Sequence, residues 1–101
     1  MNETTSISPQ LTEDEIASIK DLAKYAQKHP YQVSEINLKG FRFLIHYARA
    51  DKWFNGTMLF SPTWGHTHGV SGRDGDGLVE SIQKQITESM VIFESGGLYG
   101  K

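Results

Sequence analysis

The chain has 101 residues, 38% of them apolar and 22% charged, with a formal net charge of −2. That length fits one domain with a modest core, and the near-neutral balance gives no electrostatic drive toward nucleic acid or anionic lipid. There is no cysteine, which excludes disulfide frameworks, thiolate zinc sites and thiol nucleophiles.

Residues 1–10, "MNETTSISPQ", are polar and rich in Ser and Thr, and are expected to form a flexible tail. They have neither the basic n-region nor the apolar h-region of a secretory leader. No apolar run approaches the roughly 20 residues of a membrane span. A cytoplasmic protein without a membrane partner is therefore expected.

A single α+β domain is predicted over residues 11–97, opening with "LTEDEIASIKDLAKYAQKHP". Thr12 with Glu15 three residues on is a capping box, and Leu11 with Ile16 is spaced as a hydrophobic staple. Glu13, Asp14 and Glu15 favour the positive end of the helix dipole. Ile16, Ile19, Leu22, Ala23 and Ala26 form one apolar stripe, and Pro30 stops the helix.

Ile36 and Leu38 alternate with Asn37 and Lys39, and Phe41, Phe43, Ile45 and Tyr47 alternate with Arg42, Leu44, His46 and Ala48. A two-residue turn at Lys39-Gly40 would pair Leu38 with Phe41 and Ile36 with Phe43 on one face. Val33 is out of phase, which predicts a bulge near Ser34-Glu35. Asn55-Gly56 is the strongest short turn dipeptide and is expected in the second hairpin turn. That would leave Trp53 and Phe54 flanking the turn as candidate partner contacts at an exposed tip. Beyond it, period-2 alternation over Thr57–Ser71 predicts one bent strand or two successive ones, Thr57–Ser61 and Thr63–Ser71. Pro62 must interrupt the ladder or lie on an edge.

"SGRDGDG" is a loop by composition, with Asp76 the expected N-cap of a second helix. That helix buries Leu78, Val79, Ile82, Ile86, Met90 and Phe93 and ends at Gly96-Gly97. Residues 98–101 form a short tail. The fold class predicted is α+β, α-β-β-β(-β)-α, a small antiparallel meander sheet with two helices packed on one face. Exposed sheet edges in so small a protein allow a homodimer.

The most chemically loaded stretch is "WGHTHGVSGRDGDG", from Trp64 to Gly77. His66 and His68 are two apart on a strand and share a side with Trp64. Two imidazoles so spaced can meet one metal ion, but a third ligand must come from Asp74, Asp76 or His46. Placing Asp74 and Asp76 in an EF-hand loop puts Gly72 and Gln83 at its charged first and twelfth positions, which rejects that reading. A glycine-rich approach to a helix N-terminus can cradle an anion, helped by Arg73 and opposed by the two aspartates. No phosphate-loop, dinucleotide or G-x-S-x-G signature is present.

The element order helix, three strands, helix is similar to that of double-stranded RNA-binding domains, in order only. Those domains are basic where the second helix begins, and here the sequence is "RDGDGLVE", so nucleic-acid binding is not expected. The function expected is that of a small non-enzymatic binding or regulatory protein without a cofactor, taking a protein partner or a small anionic ligand. Its candidate contact residues are Trp64, His66, His68, Arg73, Asp74, Asp76, Trp53 and Phe54. The alternative is a metal- or nucleotide-binding protein or enzyme built on His66, His68, Arg73, Asp74 and Asp76.

Overall fold

The computed structural model describes residues 9–59 and 68–94. Helix α1 (Glu13–Lys28) is followed by strands β1 (Ser34–Leu38), β2 (Phe41–Ala48), β3 (Trp53–Met58) and β4 (His68–Gly72), then helix α2 (Gly75–Glu94). The strands pair antiparallel in the order β1-β2-β3-β4, an α-β-β-β-β-α meander. The fourth strand separates this order from that of double-stranded RNA-binding domains.

Helix α1 begins where its capping box demands. The Glu15 N–H donates to the Thr12 hydroxyl at 3.1 Å, and the Thr12 N–H donates to the Glu15 carboxylate at 2.8 Å. At the other end the His29 N–H is shared between the Tyr25 and Ala26 carbonyls, and Pro30 follows. The chain is anchored even before the helix. Gln83 on α2 accepts from the Leu11 N–H and donates to the Pro9 carbonyl, both at 2.8 Å.

Lys39 and Gly40 both have positive φ, 52° and 88°, the backbone of a type I′ turn. The register is the one the apolar alternation requires, Leu38 opposite Phe41 and Ile36 opposite Phe43. The expected bulge is not formed, since β1 pairs residue for residue from Ser34. Val33 lies outside the strand and is 58% exposed, so its phase is unconstrained by burial.

The second hairpin departs from expectation. Its turn is Arg49–Lys52, where the Asp51 and Lys52 N–H groups donate to the Ala48 and Arg49 carbonyls and Lys52 takes a φ of 54°. Asn55 and Gly56 lie inside β3, opposite His46 and Ile45. The glycine serves close packing there. A Cβ on Gly56 would sit 2.4 Å from the Leu44 carbonyl oxygen and 2.8 Å from the Ile45 side chain. Of the predicted Thr57–Ser61 strand, Thr57 and Met58 belong to β3, and the stretch from Phe60 to Thr67 lies outside the described residues.

One sheet face carries Leu38, Phe43, Ile45, Phe54, Met58 and Val70, all buried with Ile19, Ala23 and Ala26 of α1 and Leu78, Ile82 and Ile86 of α2. Both helices therefore pack on the same face. Each large side chain so enclosed contributes about 1.5–3 kcal/mol. Helix α2 also covers the outer edge of β4, where the Ser71 N–H donates to the Ser81 hydroxyl at 3.0 Å. Gly72 makes this approach possible, since its Cβ would meet the Leu78 backbone nitrogen at 2.4 Å. The other edge, β1, pairs with β2 alone. No helix among the described residues is long and apolar enough to cross a membrane.

Candidate functional site

The sequence-predicted contact residues divide three ways. Trp64 and His66 lie outside the described residues, and of His68 the backbone alone is described, opposite Met58 at the start of β4. Phe54 is fully enclosed in the core, its ring 4.8 Å from that of Tyr47. It forms no part of an exposed tip, because β3 starts at Trp53 and turns Phe54 inward. Trp53, one residue earlier, faces the opposite side of the sheet. There the Arg73 guanidinium lies over its ring at 5.4 Å from the centroid, a cation–π contact.

The N-cap of α2 is Asp74, not the expected Asp76: its carboxylate accepts from the Gly77 N–H at 2.8 Å and its carbonyl from the Leu78 N–H at 3.0 Å. Asp76 falls within the first turn, where it favours the helix dipole and pairs with Lys20 of α1 at 3.1 Å. The helix starts at Gly75, two residues earlier than a cap at Asp76 implies.

Two hollows follow α1. One, of about 290 Å³, is bordered by Lys20, Lys24, Asp74 and Asp76 with Ala23 and Phe54 beneath. The other, of about 490 Å³, is lined by Gln27, Lys28, Pro30, Tyr47, Arg49 and Lys52. Gln27 borders both, and the second is a groove between the end of α1 and the end of the β2–β3 hairpin. In the first, two cations face two carboxylates, with Lys20 paired to Asp76. In the second, three cations line the walls with no carboxylate among them.

Local structure fixes these cations. Lys28 is in the last turn of α1. Arg49 and Lys52 close the β2–β3 turn, and the Ala50 N–H between them donates to the Tyr31 hydroxyl at 3.1 Å. The Tyr31 N–H in turn donates to the Tyr47 carbonyl at 3.0 Å, which ties the α1–β1 connection to the same turn. Among the described residues the ion pairs are Lys20–Asp76, Lys39–Glu15 and Arg42–Glu35, and none engages Lys28, Arg49 or Lys52. Asp51 of the same turn offsets one of the three charges, and the excess of cations raises the local potential in favour of an anion.

The Lys39–Glu15 pair, at 3.2 Å, is the most enclosed of the three. The Thr12 backbone N–H, and then Lys39, hold the Glu15 carboxyl below its ordinary value against the opposing effect of burial. Its role is structural, joining the start of α1 to the β1–β2 turn.

Sequence reading missed the groove. Lys28 reads as an ordinary helix-end cation, and Arg49 and Lys52 sit in "RADK", a stretch whose conformation the alternation leaves open. The usable signal was two cations between two alternating apolar runs. Among the described residues no group of three or more His, Asp or Glu side chains could hold a metal ion. Neither the family models nor the curated proteins nor the solved structures contain a match to this chain.

Proposed function

We propose that the chain is a small non-enzymatic binding protein that takes an anionic ligand or an acidic protein surface in the groove lined by Lys28, Arg49 and Lys52. One observation carries the reading: three exposed cations line a single hollow, with no carboxylate among its walls and no ion pair to any described residue. The chain as a whole is slightly acidic, so this cluster is a local concentration and not a reflection of net charge. Tyr47 and Pro30 add apolar wall, and Gln27 adds an amide, a mixture suited to orienting a bound group. The hollow's volume falls in the range of small-ligand sites.

Melting in low salt with pyrophosphate, ATP or hexaglutamate tests the proposal. At least one of these anions should raise the midpoint by several degrees, as expected when a ligand is well above its dissociation constant. The rise should vanish in the Arg49→Ala/Lys52→Ala protein. The absence of any rise, or an equal rise in that variant, would overturn the proposal.

A further inference from the structure

The exposed large apolar side chains among the described residues are Tyr25, Tyr31 and Val33, at 46%, 58% and 58% exposure. Tyr25 lies in the last turns of α1, and Tyr31 and Val33 lie in the connection to β1. Pro30 lines the cationic groove, and the next residue, Tyr31, touches the turn that carries Arg49 and Lys52. The surface is also ordered in advance. The Tyr25 ring lies 4.2 Å from that of His29, and its hydroxyl accepts from the Gln32 amide at 3.2 Å. Aromatic side chains already held in place bind with little further loss of conformational freedom.

The same surface continues into an open sheet edge. A two-residue hairpin puts Leu38–Phe41, Ile36–Phe43 and Ser34–Ile45 in hydrogen-bonded pairs. The N–H and C=O groups of Glu35 and Asn37 then point away from β2. Among the described residues no backbone group outside the sheet bonds to them. At β4 the equivalent exposure is relieved by Ser81 of α2, so β1 is the edge left available. The carboxylate on this edge, Glu35, is neutralised by Arg42 at 3.2 Å.

We infer that the partner is an extended, acidic segment of another protein, which adds as a fifth strand along β1, packs on Tyr31 and Val33, and delivers its carboxylates to Lys28, Arg49 and Lys52. This rests on the anion-binding reading of the groove and names what supplies the anion. Charge selects the acidic end of the segment, and main-chain pairing selects an extended polypeptide. From Asn37 to Tyr31 such a strand runs about 20 Å, at about 3.3 Å per residue. A segment of about ten residues would span both the edge and the groove.

The probes are two fluorescein-labelled decapeptides, each with six alternating Val and Thr residues, one preceded and one followed by four glutamates. Controls carry glutamine in place of glutamate, and a ten-nucleotide oligothymidylate serves as the nucleic-acid arm. One acidic peptide should bind at least tenfold tighter than its glutamine control and than the oligothymidylate. It should slow amide exchange at Glu35 and Asn37 in the wild-type protein, a readout that needs no variant. Asn37→Pro, which removes an outward N–H, should weaken binding at least tenfold while leaving pyrophosphate or hexaglutamate binding intact.

Peptide binding without protection of those two amides would overturn strand addition, as would tighter binding of the oligothymidylate. A free protein that sediments as a dimer with both amides already protected would make the occupant a second copy, and would also overturn it. If neither peptide binds while a simple anion still depends on Arg49 and Lys52, the strand inference fails and the groove stands. If no anion responds at all, both fail.

Discussion

Asp74 and Asp76 stand two residues apart at the entrance to α2, yet only Asp74 holds an orphan N–H of the first turn. Asp74→Ala should therefore cost about 1 kcal/mol, the usual value of an N-cap. Asp76→Ala removes only an exposed pair with Lys20, so it should stay within about 0.5 kcal/mol of wild type. Urea denaturation of the two variants checks the assignment, and the reverse order would put the cap at Asp76. Sequence reading chose Asp76 wrongly, because each aspartate precedes a glycine in "RDGDG" and either can cap. In the fold Gly72 packs against the Gly77–Leu78 backbone, a contact that any side chain at Gly72 would block and that local composition does not show. Glu15 gives a prediction with a defined pH dependence. Its folded pKa is lowered, so the charged form stabilises the fold above the ordinary carboxylate value near 4.3. That contribution is lost as pH falls through the lowered folded value. Glu15→Gln keeps the capping geometry but not the charge. It should be less stable than wild type at pH 7, and the two should converge in melts as pH falls below the ordinary carboxylate range.

The elements were legible where a local signal and a packing requirement coincide. The capping box placed the start of α1, and the alternations on both sides of Lys39-Gly40 set the turn and the register of Ile36 and Leu38, though not the absence of a bulge at Ser34-Glu35. The second hairpin failed because Asn55-Gly56 is a strong turn signal that tertiary packing overrides. Ile45 must pass over a position without a Cβ, and Gly56 supplies it. The true turn at Arg49–Lys52 uses a lysine at positive φ, which no composition rule favours. Gly56→Ala distinguishes the two roles. In a turn it would be felt mainly as backbone strain, whereas inside β3 its methyl group collides with the Leu44 carbonyl and Ile45. A loss of about 2 kcal/mol is expected, typical of overpacking. Thermal unfolding together with amide shifts checks it, and the largest shifts should fall at Leu44 and Ile45. Shifts confined to the Arg49–Lys52 turn would speak against close packing at Gly56.

Across the molecule, the two helices and the meander enclose one core, and the positive charge left outside it is unevenly placed. Three of the ten basic residues line one hollow without an ion pair to any described residue. This arrangement could not be read from sequence, because Lys28 and the Arg49–Lys52 turn meet only once α1 is folded across the hairpin. The stretch that drew attention in the sequence has a different character. Arg73 is held over Trp53 and Asp74 is committed to capping, while Trp64 and His66 lie outside the described residues. The most direct measurement is an amide-resolved NMR titration of the whole chain with hexaglutamate at low salt. Binding in the groove predicts saturable shifts grouped at Gln27–Tyr31 and Tyr47–Trp53, weakening steeply as salt is added. Shifts grouped instead at Arg73–Leu78, or none that saturate, would contradict it.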